Sequence, residues 1–344
     1  MLAALARGLL EAEPGLQVIG VDNFLRPGSE LNRSALKALG MAIHHGDVRV
    51  AEDLEALPAV DYVIDAAANP SVLAGLGEGN ASRQLMSHNL AGTINLLEFC
   101  KSHRAGLILL STSRVYSIAP LANLKVEVAQ QAFRPALGQS WPEGLSLAGV
   151  AENFSTAPPV SLYGSTKVCS EALALEYGMA FGFPVWINRL GVLAGAGQFG
   201  RADQGIFSFW IHACAARRPL KYIGFGGQGY QVRDCLYPKD LVAVFRAQMK
   251  RNPAAGESIT NFSGGSANSL SLRQVHEWCE KRFGPRAVTA EPGNRPFDVP
   301  WLVLDSSRAR ERFGWQPATH WESVFEEIAV HAEKNPHWLE LTAS

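Results

Sequence analysis

The chain has 344 residues, enough for one large or two smaller domains, and its 47% hydrophobic and 18% charged residues suit a globular protein with a sizeable core. A formal net charge of −1 gives no electrostatic reason to bind nucleic acid or a membrane surface. No uninterrupted apolar stretch reaches membrane-spanning length and no signal-peptide pattern opens the chain, so it reads as a soluble cytoplasmic protein.

In chain order the first predicted element is a helix, Ala3–Leu10. Leu16–Asp22 reads as a buried strand ending in an acid, Arg33–Leu39 as a helix and Met41–Asp47 as a second strand. Strands follow at Asp61–Ala67 and Gly106–Thr112, with a helix at Asn89–Lys101 between them; a long helix, Tyr163–Phe181, leads into the strand Pro184–Leu190. Short apolar strands alternating with helices imply right-handed crossovers and an α/β, doubly wound parallel (Rossmann) sheet. Ligands of such sheets bind outside the carboxyl ends of the strands, where Asp22, Asp47, Ala66 to Asn69 and Thr112 fall.

Segment 117–160, long and weakly patterned, is an insertion of the functional or mobile kind. From Gly191 onward, Gly-rich and polar loops at 195–205, 224–229 and 263–269 separate helices at Ile206–Ala216, Leu272–Phe283 and Trp321–Lys334. This reads as a smaller, loop-rich substrate domain over the ligand edge of the sheet. The expected division is 1–190 and 191–344, with residues 230–250 able to pack on the first. The 5 cysteines (Cys100, Cys169, Cys214, Cys235 and Cys279) are scattered and suit reduced thiols; no metal site is expected.

A dinucleotide fold should open with a central strand and a glycine-rich turn whose amides hold a pyrophosphate. This chain opens on the helix that should follow that turn, and Gly224–Gly229, between a strand and Arg233, reads as a loop. The sheet is therefore expected to lack its first strand. Either the start lies upstream of Met1 or the cofactor site has been lost. The intact remainder favours the first, with weak cofactor binding by the chain as given.

Two segments carry chemistry. The strand at 106–112 runs into Ser111-Thr112-Ser113-Arg114, and the next long helix opens Tyr163-Gly164-Ser165-Thr166-Lys167. Tyr163 and Lys167, four apart, share one helix face. An ammonium beside a phenol favours the phenolate, so the Tyr163 pKa is expected to fall from about 10 toward neutrality. Such a group transfers protons at physiological pH, and the Thr112 hydroxyl can bond the same reacting oxygen. Tyr, Lys and Thr so arranged are what removing an alcohol proton needs while a hydride leaves its carbon. The Tyr-x-x-x-Lys spacing is common by chance; its place, after a Ser/Thr strand end, gives it weight. Along the same helix Val168, Ala172, Leu175 and Met179 form one apolar stripe, and Leu173, Tyr177 and Ala180 another. The helix is either deep in the core or packed on a second subunit.

Together these residues resemble the extended short-chain dehydrogenase/reductase (NAD-dependent epimerase/dehydratase) family acting on nucleotide sugars. Within it the chain is most similar to the CDP-paratose (CDP-tyvelose) 2-epimerases. The motifs are Gly197-Gln198-Phe199, Asp203-Gln204-Gly205, Gly229-Tyr230-Gln231-Val232-Arg233-Asp234, Asn268-Ser269-Leu270-Ser271-Leu272 and Arg295-Pro296-Phe297-Asp298. The resemblance implies Thr112, Tyr163 and Lys167 as hydroxyl, general base and lysine, with NAD as cofactor. Asp22, with Asn23, is the expected adenosine-ribose ligand; its carboxylate repels a 2′-phosphate and so favours NAD over NADP, and a plain strand-end turn is the other role. Asp47 with Val48 implies an adenine contact, or again a turn. Ala66, Ala67 and Ala68 let the cofactor approach the backbone, or only pack tightly. Asn89 supports the site or caps its helix.

Nucleotide-sugar dehydratases of this family carry Asp-Glu directly after the Thr. Ser113 and Arg114 stand there here, so the expectation is oxidation and re-reduction without loss of water. Ser113, Arg114, Gln198, Phe199, Asp203 and Gln204 are the implied lining of the nucleotide-sugar site. Arg233 and Arg295 are the implied diphosphate ligands, through bidentate charge-assisted bonds. The implied partner is a nucleotide-diphosphate sugar, a CDP-sugar foremost, bound by a homodimer or homotetramer. A UDP-hexose 4-epimerase shares every catalytic residue, and a non-catalytic sensor or scaffold is the alternative of another class.

Overall fold

A computed structural model describes residues 2–77 and 79–343. It contains two compact units: Met1–Val115, Ser161–Arg189 and Pro238–Thr260 form the first, and Tyr116–Val160, Leu190–Tyr237 and Asn261–Ser344 the second. The units are therefore woven through the sequence and not cut once near residue 190. Hydrogen bonds give the reason. Segment 116–160 is held within the second unit, where the Tyr116 hydroxyl donates to Asn261 Oδ1 at 2.7 Å and the Val150 amide to the Val303 carbonyl at 2.9 Å. Segment 238–260 belongs to the first, where the Trp186 indole donates to the Gln248 carbonyl at 3.1 Å and Asn188 exchanges two amide bonds with Gln248.

The chain opens α1 (Leu2–Ala12), β1 (Ile19–Asp22), α2 (Leu31–Ala38), β2 (Ala42–His45), α3 (Ala51–Glu55), β3 (Tyr62–Asp65), α4 (Ala81–Met86), α5 (Gly92–His103) and β4 (Gly106–Thr112). The insertion contributes α6 (Ile118–Ala122) and two small hairpins, β5 (Val126–Ala129) with β6 (Ala132–Pro135) and β7 (Leu145–Ser146) with β8 (Gly149–Val150). Then come α7 (Ser161–Phe181), β9 (Val185–Leu190), β10 (Val192–Leu193), α8 (Ile206–Ala215), β11 (Lys221–Ile223), β12 (Val232–Leu236), α9 (Val242–Met249) and β13 (Ile259–Phe262). The last elements are β14 (Ser269–Ser271), α10 (Leu272–Phe283), β15 (Thr289–Glu291), β16 (Trp301–Leu302), α11 (Ser307–Phe313), α12 (Trp321–Lys334) and α13 (Trp338–Ala343).

The fold of the first unit is α/β and Rossmann-like, with its strands in the order β13-β9-β4-β3 and a separate parallel pair β1-β2. β4 opens as an apolar run, residues 106–110, and β9 is buried along its whole length although it carries Asn188 and Arg189, as befits strands covered on both faces. Leu107, Leu109 and Ile187 pack on one side with Leu97 and Cys100 of α5 and Ala174 of α7, all fully buried. β1 and β3 share no ladder among the described residues, and their apolar side chains Ile19, Val21, Val63 and Ile64 are only half-buried. Every residue of β9, by contrast, is buried.

In the second unit β12 pairs with β10, β14 and β16, and a core of Phe207, Trp210, Val275, Phe325 and Ile328 fills the space among α8, α10 and α12. α10 starts where the sequence says it should: Ser271 accepts from the Gln274 amide at 3.1 Å while Gln274 accepts from the Ser271 amide at 2.9 Å. Asp234 is buried on β12, and its carboxyl, pushed up by burial, accepts from Ser263 Oγ at 2.5 Å and the Gly264 amide at 3.2 Å. Gly264 leaves no room for a side chain, since a Cβ there would lie 2.0 Å from the Cys235 carbonyl oxygen. Gly264→Ala should therefore destabilise the protein by about 1–3 kcal/mol, the usual cost of overpacking against a backbone that cannot yield. Urea titration measures it; an unchanged midpoint would show that the 263–269 turn moves freely.

Candidate active site

β4 ends at Thr112 in a single tight helical turn, Ser113–Val115, in which the Arg114 amide donates to Thr112 Oγ1 at 3.2 Å. α7 starts at Ser161, a residue with φ of 71°, whose hydroxyl accepts from the Gly164 amide at 3.1 Å. That start aims the first two turns of α7 at the carboxyl end of β4. Tyr163 is 6% exposed, and Thr112 stands close enough to pull its phenol pKa down, so the two groups paired in the sequence are neighbours in space. Lys167 follows one turn on, 2% exposed, and no hydrogen bond from its ammonium to a protein group is found among the described residues.

The electrostatics differ from the expected lowering of the Tyr163 pKa by Lys167. Burial pushes the Tyr163 phenol up, while the Thr112 side chain and the Arg114 guanidinium pull it down. Burial also lowers Lys167, with Asp65 and Glu171 opposing. Desolvation outweighs the attraction that a surface helix would show. Arg114 is thus near enough for its charge to act on the phenol, and Ser113 is buried in the same turn.

Asn89 is not a helix cap. It lies in a wide helical turn, Ser87–Ala91, between α4 and α5, of the kind that often marks functional sites. Its side chain accepts from the Asn69 amide at 2.7 Å, donates to the Asn69 carbonyl at 3.2 Å, and donates to Thr166 Oγ1 at 3.1 Å. Thr166 in turn donates to the Tyr163 carbonyl at 2.7 Å. The Thr93 hydroxyl sits 2.9 Å from the Asn89 carbonyl and 3.2 Å from Asp65 Oδ2, and Asp65 Oδ1 accepts from the Ala67 amide at 3.0 Å. One polar network therefore ties the Ala66–Asn69 loop to α7. Asp65 and Thr166 carried no separate signal in the sequence.

At the end of β1 the exposed Asp22 carboxylate accepts from the Phe24 amide at 2.7 Å. Asn23 donates to Asp47 Oδ2 at 2.9 Å. Asp47 is held as an ion pair by Arg49, with Nε 2.9 Å from Oδ1 and Nη2 2.5 Å from Oδ2, which keeps its carboxyl well below the usual range. Any adenine contact there must share Asp47 with Arg49. Val48 packs against Gly92 of α5, where a Cβ would come within 2.7 Å of its side chain.

In the second unit Gln198 and Phe199 are built into the structure. Phe199 stacks on Trp338 with centroids 4.8 Å apart, and Gln198 donates to the Leu193 carbonyl at 3.1 Å. The Gln198 Oε1 atom is buried without a hydrogen bond. Asp203 and Gln204 belong to a tight turn closed by the Arg201 amide on the Gln204 carbonyl at 2.7 Å. Arg295 donates to the Ala202 carbonyl at 2.9 Å, which brings that turn and the 295–298 loop together. Arg233 is paired at 2.6 Å with Asp298, a carboxylate that accompanies Arg295 in the sequence.

The model of the NAD dependent epimerase/dehydratase family matches residues 3–261. The chain belongs to this family. A UDP-glucuronate 4-epimerase from Thermodesulfobacterium geofontis is 29% identical over 232 residues, 67% of this chain and 60% of its own length, so the match spans less than two thirds of that relative. A CDP-paratose 2-epimerase from Salmonella typhi is 25% identical over 312 residues, 88% of either chain. A UDP-glucuronic acid 4-epimerase variant from Bacillus cereus, solved with a fluorinated UDP-sugar and NAD, has a TM-score of 0.75 at 23% identity over 96% of this chain and 95% of that one. That last likeness is one of fold.

NAD is the cofactor of this epimerase/dehydratase family, and the first unit fits it at two places. The buried Lys167 ammonium, without a protein acceptor, suits ribose hydroxyls, and the Asp22 carboxylate suits a second ribose. Ala66 and Ala67 are small and half-buried, with the Ala67 amide bonded to Asp65 Oδ1. No glycine-rich strand-to-helix turn occurs among the described residues of this unit, and no residue is assigned to the pyrophosphate. No described helix is long and apolar enough to cross a membrane.

A histidine pair, His212 buried and His331 half-buried, gives the second unit a pH dependence. His212 Nδ1 lies 2.8 Å from the Ser208 carbonyl, so its Nε2 accepts from His331 Nδ1 at 3.1 Å. Burial pulls His212 down to about 4 from 6.5. Between those values the unfolded chain binds the extra proton, so stability is present above pH 6.5 and lost as pH falls toward 4. Calorimetric melting at about pH 7 and about pH 5 should show the loss, and His212→Gln should reduce it. Equal melting shifts in wild type and variant would assign the dependence to other groups.

Proposed function

We propose that this protein is a nucleotide-sugar epimerase that oxidises one carbinol of the sugar and reduces it again from the opposite face. The observation that carries the reading is the buried Tyr163 phenol, a neighbour of Thr112 and one helical turn from the Lys167 ammonium. When bound, NAD supplies the hydride acceptor and then the donor. Tyr163 takes the proton of the sugar hydroxyl while Thr112 bonds the same oxygen, and the charges of Lys167 and Arg114 stabilise the ionised phenol. The keto-sugar turns, and Tyr163 returns the proton to its oxygen. Each cycle leaves the cofactor as it began, and no external reductant is consumed. Ser113 and Arg114 after Thr112 supply no carboxylate pair, which supports epimerisation over loss of water.

Arg233 and Arg295 serve as the diphosphate ligands in this reading, with Asp203 and Gln204 beside Arg295 through the Ala202 contact. Gln198 and Phe199 act from behind, as support. A homodimer through the outer face of α7 is supported by Met179, 77% exposed, and by the exposed Ala172 in the same stripe. The motifs at 229–234 and 295–298 favour a CDP-sugar and its C2 carbon. The second reading, C4 epimerisation of a UDP-sugar, is supported by the 29% identity with the UDP-glucuronate 4-epimerase.

Tyr163→Phe should lower turnover by ~10²–10⁴-fold while NAD affinity and melting temperature stay close to wild type; unimpaired turnover would remove Tyr163 from the proton step. Base preference is tested by competition of CDP- and UDP-sugars for the NAD-loaded protein. A buried polar group left unpaired by the wrong base costs roughly 1–3 kcal/mol, so the CDP-sugar should win by about ten- to a hundredfold. Equal affinity, or a preference for UDP, would move the assignment to the C4 reading.

A further inference from the structure

The first unit buries an ion pair to which proton transfer by Tyr163 gives no obvious task. Glu171 of α7 is 4% exposed and Arg189 of β9 is 5% exposed. The guanidinium grips the carboxylate as a fork, with Nη2 2.7 Å from Oε2 and Nε 3.1 Å from Oε1. Ser111 of β4, directly before Thr112, donates to Oε1 as well. Three elements thus converge on one carboxylate. A buried pair contributes little net stability, because desolvation offsets the attraction. Stability alone therefore does not account for its position. Tyr163, Lys167 and Glu171 follow one another at four-residue steps, on one face of α7, and all three are buried.

We propose that Glu171 is a positioning residue, fixed by Arg189 and Ser111, whose carboxylate holds Lys167 as an ammonium for the proton transfer at Tyr163. The proposal rests on the reading of Tyr163 and Lys167 as the proton-transfer pair. A lysine withdrawn from water loses its proton readily, and a neutral amine does not stabilise a phenolate. Burial pulls Lys167 down, and Asp65 and Glu171 are the two charges that push it back.

The groups around the ammonium come from every neighbouring element. Asp65 acts on it from β3 and Glu171 from its own helix, on the face that also carries Tyr163. Arg189 stands behind Glu171 from β9, and Arg114 acts on Tyr163 from the turn after β4. Cys100 of α5, beside Asp65, is pushed up to about 12 by burial and stays a neutral thiol. Asp65 is satisfied by the Ala67 amide and the Thr93 hydroxyl, both neutral donors, whereas Glu171 is gripped by a guanidinium and fixed in place one turn from Lys167.

The test reads Lys167 itself. In full-length protein carrying nitrogen-labelled lysine, the Lys167 resonance, assigned with Lys167→Met, is titrated in wild type, in Glu171→Gln and in the double variant Glu171→Gln/Arg189→Met. The double variant removes both charges, so no lone guanidinium is left buried and the fold is retained. The Lys167 midpoint should fall by about one pH unit in each folded variant. The alkaline limb of kcat for the NAD-loaded enzyme should move down with it. An unchanged Lys167 midpoint in a double variant that melts like wild type would overturn the proposal and leave the pair a purely structural one. Turnover that survives Tyr163→Phe would sink the proton-transfer reading instead, and the Lys167 titration would still report what Glu171 does.

Discussion

A lysine ammonium withdrawn almost wholly from water is the constraint around which the first unit is organised. Lys167, 2% exposed, loses most of its hydration, and every neighbouring element answers that loss with polar groups. Asp65 comes from the end of β3, Glu171 from the next turn of α7, and Arg189 and Ser111 from the two central strands. Around them Asn89, Thr93, Thr166 and Ser170 form hydrogen bonds that no apolar packing could replace without orphaning a donor. Such a network is costly when half-satisfied, which is why its members come from several elements and close on one another.

The same desolvation sets the chemistry. On an exposed helix Lys167 would lower the Tyr163 pKa, as the spacing alone suggests. In the buried site both groups are driven toward their neutral forms, and the nearby charges of Arg114, Asp65 and Glu171 decide how far. The ease with which Tyr163 and Lys167 ionise is thus a balance between burial and counter-charge, not a property of their spacing alone.

The second unit is stiffened around its motif residues by aromatic and guanidinium contacts. Phe199 is fixed by Trp338, Trp338 also donates to the Gln198 carbonyl at 3.0 Å, and Arg233 is fixed by Asp298. A loop rich in glycine gains definition from such anchors. An arginine already aligned by a carboxylate presents its remaining donors without paying rotamer entropy at binding.

The amino-acid sequence by itself determined the alternation of strands and helices, the long helix from Tyr163 and the family. Each of these rests on local periodicity or on a short motif, and such signals need no knowledge of distant neighbours. The sequence left residues 230–250 able to pack on the first unit, but only the tertiary structure decided that segment 116–160 belongs to the second and that the returning stretch is 238–260, because the bonds that assign them, Tyr116 to Asn261 and Trp186 to Gln248, join residues far apart in the chain. It also decided the surroundings of each site residue. Asn89 binds Thr166, Asp47 is shared with Arg49, and Glu171, a helical turn from Lys167, is gripped from β9. Glu171 stands four positions from Lys167 but was not singled out in the sequence. Its buried arginine partner could not be read there, because burial and ion pairing are set by which strands the sheet brings alongside the helix, and no stretch of sequence contains that information.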